Sequence, residues 1–354
     1  MLAAEDIPQS IMRMFSGIPE EAAQAREELS SWRKAIPAQQ LPDPDDNCDC
    51  SPDGQTSAAR PLTAYSLWLE LVEDCNLDCL FCYNSWRPKG RGASVPLLAE
   101  HYMDLVDSIM SAVHIRHVTL SGGEPLMFPL LRELFALIHR NACRSVGITT
   151  NGRSMTRKKM RSLVSSGVTQ ISVPVHSHHP SVHDQLAKGR SWKSAVRALA
   201  LGTEHGIATT LSCVVTSLNE AHVRHVVDIA KVLGLRSVVL NCMHPTGSGA
   251  SRSDLEISPQ TFAERVSDAW RSLSCSGRVT VGSPPASRPV SNRSIDRIVL
   301  SPFGDIKLCN QSHAGILNAV DNPGEFAAFL SATREELAAR YGDRVDNCSC
   351  RSSM

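Results

Sequence analysis

Glu73-Asp74-Cys75-Asn76-Leu77-Asp78-Cys79-Leu80-Phe81-Cys82-Tyr83-Asn84 sets three cysteines at a C-x3-C-x2-C spacing, with an aromatic residue directly before the last. Three thiolates on one loop can hold three irons of a cubane and leave the fourth open to a non-protein ligand. An open position is what separates reactive from structural metal sites. The alternatives are a zinc site or a chance cluster of cysteines. Zinc normally takes a fourth nearby Cys or His, and this spacing is uncommon for it.

Outward from this stretch, short apolar runs alternate with amphipathic helical segments. Strands are predicted over 66–72, 117–121, 145–150, 170–175, 209–216 and 237–242, and helices over 96–112, 130–139, 157–165, 192–205 and 220–233. Continuous apolar strands between helices imply a parallel sheet buried on both faces. Six βα units predict an α/β fold, a partial (β/α)6 barrel over 61–250, with functional residues at the C-terminal strand ends. The cysteine loop follows the first strand and so lies at that end. Residues 1–60 read as an appendage: one helix near 20–36, then prolines and an Asp/Ser/Gly-rich run suited to a linker or lid. Beyond about residue 250 the βα rhythm stops. A helix over 259–274, β segments over 278–282 and 297–308 with a turn at Phe303-Gly304-Asp305, and a closing helix over 325–341 predict a small α+β domain over 251–354.

These motifs resemble the radical S-adenosylmethionine (SAM) superfamily, whose signature loop is the cysteine stretch. Ser121-Gly122-Gly123-Glu124-Pro125 is similar to the family's GGEP segment, Thr149-Thr150-Asn151-Gly152 to its TNG turn, and Ile171-Ser172-Val173 to its strand-four serine. The resemblance implies a 4Fe–4S cluster on Cys75, Cys79 and Cys82. It also implies a SAM site drawing on Phe81, Gly122, Gly123, Glu124, Asn151 and Ser172, with Lys188 in place of an arginine. The enzyme would cleave SAM reductively to a 5′-deoxyadenosyl radical that abstracts a substrate hydrogen, fed by a flavodoxin- or ferredoxin-like electron donor. Two departures stand out. Pro174-Val175-His176-Ser177-His178-His179-Pro180 replaces an Asp-Gly pair, and Lys188 stands near where an arginine is expected. The histidines of that stretch are read as ordinary loop residues.

Twelve cysteines are many for a chain of this length, and they cluster at short spacings, which favours metal over disulfides. The segment from Leu300 to Cys309 resembles the hairpin of SPASM and twitch extensions, which carry auxiliary clusters. Cys309, Cys348 and Cys350 are the expected ligands of one auxiliary 4Fe–4S cluster, completed by Cys48 or Cys50 or left open for substrate; a zinc site or an ordinary free-thiol tail is the alternative. Cys213 and Cys242, on the fifth and sixth strands, are candidate hydrogen donors to a substrate radical, with small core residues as the alternative. Relatives of this type mostly modify peptides. The expectation is therefore modification of a ribosomally made precursor peptide by cross-linking, epimerisation or oxidation. The alternative is a dehydrogenase or mutase acting on a small molecule in cofactor, sugar or antibiotic biosynthesis. Lysine and arginine balance aspartate and glutamate at 36 each, so charge gives no case for nucleic acid or an anionic membrane. No apolar run is long enough to span a bilayer and the N-terminus lacks a signal peptide's pattern, so a cytoplasmic location is expected.

Overall fold

The six predicted strands all form, and a seventh extends their sheet on the side opposite the sixth. The computed structural model describes residues 2–36, 63–84, 86, 95–141, 143, 145–235, 237–271, 294–309 and 315–342. Strands β1 (Thr63–Glu70), β2 (His114–Ser121), β3 (Ser145–Thr149), β4 (Gln170–Pro174), β5 (Ala208–Val215) and β6 (Ser237–Cys242) run parallel in sequence order. Helices α3 (Ala99–Ala112), α4 (Leu131–Arg140), α5 (Arg157–Ser165), α7 (Trp192–Glu204) and α8 (Val223–Leu233) form their crossovers, within a few residues of expectation. Residues 175–179 of the His-rich stretch form a loop, as expected, and helix α6 (Pro180–Ala187), for which no element was expected, follows it.

In-register partners on adjacent strands share a face, and side chains alternate along each strand. The pairs Glu70↔Ser121, Thr149↔Ser172, Ser172↔Thr210 and Thr210↔Ser237 therefore define one polar face. Their neighbours Leu69, Leu120, Ile148, Ile171, Leu211 and Leu240 point the other way and are buried in one core with the helices. On β5 the exposure alternates strictly, half-buried on the polar face and buried on the apolar one.

The C-terminal strands do not make a sheet of their own. β7 (Ser294–Leu300) pairs parallel with β1, from Thr63↔Ser294 to Leu69↔Leu300. β8 (Asp305–Lys307) and β9 (Leu317–Asn318) add on antiparallel. The expected hairpin turn is present. Gly304 adopts φ +85°, and Ser301 Oγ accepts from the Phe303 and Asp305 amides at 3.2 and 3.0 Å. The single closing helix is in fact two, α10 (Pro323–Ser331) and α11 (Arg334–Tyr341). Thr333 and Glu336 form a reciprocal capping box that starts the second. Helix α9 is Pro259–Arg271, and 278–282 lies outside the described residues.

At the N-terminus, α1 (Ile7–Met14) was not expected, whereas α2 (Pro19–Lys34) was. Both pack into the main core through Ile7, Ile11, Leu29 and Trp32, so this part is a layer of the fold rather than a detached appendage. Phe15, just past α1, lies 4.8 Å from the His178 ring and 5.2 Å from that of His225. His178 in turn has His179, His225 and His222 at ring distances of 4.0, 4.4 and 4.9 Å. Among the described residues no three His, Cys, Asp or Glu side chains converge on a single metal ion.

Burial, with the neighbouring imidazoles adding to it, pushes His178 down to about 3. Burial takes His183 to about 4, and His176 well below its usual value. A histidine depressed in the fold adds stability above its unfolded pKa near 6.5, and that stability is lost as pH falls toward the folded value. The unfolding free energy, and with it the thermal midpoint, should therefore fall as pH drops from 7 to 5, on the order of 1 kcal/mol per pH unit below about pH 6.5 for each such histidine. A His178→Leu variant should show a shallower slope in a pH series of melts; an unchanged slope would refute the assignment.

Candidate active site

The cysteine loop leaves β1 at Leu71 and is held from below by the segment after β2. The Leu71 amide donates to Ser121 O at 3.0 Å, Gly123 N to Val72 O at 2.7 Å and Glu124 N to Asp74 O at 2.8 Å. The two backbones touch. A Cβ on Gly123 would lie 2.0 Å from Asp74 O, and one on Gly122, at φ +125°, 2.8 Å from Val72 O. Only glycine permits this approach, so both residues act first on the loop that carries the cysteines.

Glu124, 1% exposed, was expected to belong to the SAM site directly. Its carboxylate is instead engaged within the protein. It accepts from Thr150 Oγ1 at 2.6 Å, the Asn151 amide at 2.9 Å and the Leu126 amide at 3.3 Å. Burial raises its pKa, and these hydrogen bonds oppose the rise. Glu124 thus clamps the turn after β3. Asn151 Nδ2 then reaches Asn76 Oδ1 at 2.7 Å and Cys75 Sγ at 3.7 Å, and Arg153 donates to Asn76 O. Thr150 and Arg153 are additions to the sequence-based site.

On the loop's other flank, the Leu80 amide donates to Leu186 O at 2.9 Å, and Phe81 stands edge-on to His176 at 4.7 Å. His176 stacks on His183 at 5.3 Å. Each ring is fixed by backbone donors: Val214 N to His176 Nδ1 at 3.3 Å and His176 N to His183 Nδ1 at 3.1 Å. His183 Nε2 therefore carries the proton and donates to Ser191 Oγ at 3.0 Å. Asp184 caps α7 by accepting from the Ser191 and Trp192 amides, both at 2.9 Å. The His-Asp pair is structural. Lys188, the one non-glycine residue at positive φ among the described residues, ends α6 and pairs with Asp78 of the cysteine loop. Ser172 sits half-buried on the polar face of β4.

Cys75, Cys79 and Cys82 are free of disulfides and half-buried. Three thiols outside any disulfide on one loop, with an amide donor beside one of them, are the donor set of a 4Fe–4S cluster. That group would supply one-electron chemistry, and this chain's residues hold and orient it. Cys213 and Cys242 do not fit the hydrogen-donor expectation. The registers Cys213↔Leu240 and Val215↔Cys242 put both on the helix-facing side, opposite Ser172. Burial raises the Cys213 thiol to about 12, as in an inert core residue. Cys309 is buried just after β8. Cys348, Cys350, Cys48 and Cys50 lie outside the described residues.

Sequence reading missed an ion pair at the mouth of the polar face. Glu70, the last residue of β1, meets Lys307 of β8 at 2.7 Å, and both are nearly fully buried. Burial pushes the Glu70 carboxyl up to about 7 against the pull of Lys307.

Gly123→Ala should displace the cysteine loop and lower iron per chain severalfold after anaerobic reconstitution. Gly324→Ala, with open space around it, should not. Equal iron in the two variants would contradict the packing argument.

A model described as the radical SAM superfamily matches residues 69–230. A probable GTP 3',8-cyclase of Aeropyrum pernix is 28% identical over 195 residues, covering 54% of this chain and 53% of that protein. The chain thus spans about half the length of this relative. A probable GTP 3',8-cyclase of Saccharolobus islandicus is 24% identical over 297 residues, covering 79% of this chain and 92% of its own. Among solved structures, Streptococcus suis SuiB bound to S-adenosylmethionine superposes with a TM-score of 0.59 at 15% identity, covering 82% of this chain and 71% of that one. Native anSMEcpe with bound AdoMet gives 0.58 at 17%, covering 77% and 80%. These two likenesses show the fold. No helix among the described residues is long and apolar enough to cross a membrane. The cysteine loop and its glycine support thus fall within the residues, 69–230, that are similar to the radical SAM superfamily.

Proposed function

We propose that this enzyme uses a cluster on Cys75, Cys79 and Cys82 to cleave SAM reductively and abstracts a hydrogen from a ribosomally synthesised peptide. The SAM site draws on Phe81, Gly122, Gly123, Asn151 and Ser172, with Glu124 and Lys188 holding the surrounding turns. A flavodoxin- or ferredoxin-like protein supplies the electron. Cys309, Cys348 and Cys350 bind an auxiliary 4Fe–4S cluster on the C-terminal extension.

The observation that carries the peptide reading is the Glu70–Lys307 pair. The pair leaves the Lys307 cation, beside the start of the cysteine loop, neutralised by a carboxylate rather than open to a phosphate. The fold likeness to SuiB bound to precursor peptide SuiA, and to anSMEcpe with bound AdoMet and a peptide, supports the same reading. The second reading, nucleotide cyclisation, is favoured by the relatives named as probable GTP 3',8-cyclases.

Release of 5′-deoxyadenosine from the reduced, reconstituted enzyme separates the two. Candidate precursor peptides should raise it severalfold and GTP should not. Stimulation by GTP alone would replace the first reading with the second. For the auxiliary cluster, the Cys75→Ala/Cys79→Ala/Cys82→Ala triple variant should retain about four irons per chain. An iron-free variant would rule that cluster out.

A further inference from the structure

Four buried side-chain polar atoms without a hydrogen-bond partner gather on one patch of the structure: Trp68 Nε1, Glu70 Oε1, Asn84 Oδ1 and Trp86 Nε1. Buried polar atoms are satisfied in the great majority of cases, so such a concentration calls for a missing partner. Trp68 and Glu70 lie two apart on β1 and so point to the same face, the polar one. Lys307 shares it, because Val299 pairs with both Trp68 and Lys307. The Trp86 ring lies 5.4 Å from Lys307 Nζ and packs edge-on against Phe303 at 6.0 Å. Asn84 is anchored by Nδ2 donating to Gly122 O at 2.8 Å, next to Ser121, the register partner of Glu70. A carbonyl can only accept, so the Asn84 amide orientation is fixed and its oxygen is the free end.

We propose that Trp68, Glu70, Asn84, Trp86 and Lys307 form a substrate subsite for an uncharged amide, either a peptide backbone group or a side-chain carboxamide. The open valences are two N–H donors, on the indoles, and two acceptor oxygens, on Glu70 and Asn84. An amide presents an N–H and a C=O, and so answers both kinds. Glu70 Oε2 and Lys307 already pair at 2.7 Å, which leaves Glu70 Oε1 as an acceptor for an amide N–H, while Arg297 stands 5.0 Å from the Trp68 ring on the same face. The subsite sits where β1 enters and Trp86 leaves the cysteine-loop region. An amide held there places the adjoining substrate atoms at the C-terminal end of the strands, where the loop cysteines are. This inference rests on the peptide reading above and gives it a recognition chemistry.

The test is equilibrium dialysis of the full-length, cluster-reconstituted protein against radiolabelled N-acetyl-tetraalanine amide, its ester-linked analogue and GTP. Trp86→Phe keeps the ring and removes only the N–H. Glu70→Gln removes an acceptor but leaves Lys307 unpaired, so circular dichroism must first show that it folds. The wild type should bind the peptide amide, and Trp86→Phe should weaken binding about tenfold, the worth of one buried hydrogen bond. The ester analogue, lacking amide N–H groups, should lose a similar factor. Equal binding by wild type and Trp86→Phe overturns the subsite and leaves the peptide reading standing. GTP binding that is sensitive to Trp86→Phe, with no amide binding, overturns both. Binding of neither probe, with ordered water alone found in the pocket, overturns the subsite.

Discussion

Backbone contact between the Gly122-Gly123 segment and the cysteine loop is the constraint on which the site depends. A loop bearing three thiols for one cluster cannot wander, yet its own sequence supplies little regular structure. It is instead laid against the end of β2 by amide–carbonyl bonds of 2.7 and 2.8 Å, at a distance that excludes any side chain. Glu124 passes that constraint on. Its buried carboxylate ties the same segment to Thr150 and Asn151, and Asn151 returns to the loop beside Cys75. Three strand ends are thereby locked around one sulfur.

The sheet supplies the second ingredient, two faces of different chemistry. Its apolar side is sealed by helices and by the N-terminal pair α1 and α2, which leaves the polar side for ligands. This division puts Cys213 and Cys242 on the helix-facing side and Ser172 on the polar one. It also gives the C-terminal hairpin its meaning. β7 continues the sheet beside β1, so Lys307 arrives next to the start of the cysteine loop rather than on a remote domain.

Much of the fold was legible because its signals are local. The six parallel strands and their crossover helices announce themselves by apolar runs and amphipathic periods. The hairpin at Phe303-Gly304-Asp305 is written in turn chemistry. Helix α6 is too short to show a clear period and follows directly on a His-rich loop, so its one local signal is Pro180 at the first turn, where proline is tolerated. The split of α10 from α11 carried a signal that was passed over, since Thr333 and Glu336 have the spacing of a capping box.

By itself the sequence determined the cysteine loop, the glycine pair and the TNG turn, because each is a short run whose chemistry is set by residue type and spacing. Only the tertiary structure decided which side chains share a face and which partners they find. Glu124 closes on a turn 26 residues away, and Glu70 on a lysine 237 residues away. Cys213 turns inward to the core by a register that no single strand encodes. Pairing across strands is a property of the whole sheet, since shifting one strand by one residue exchanges its two faces.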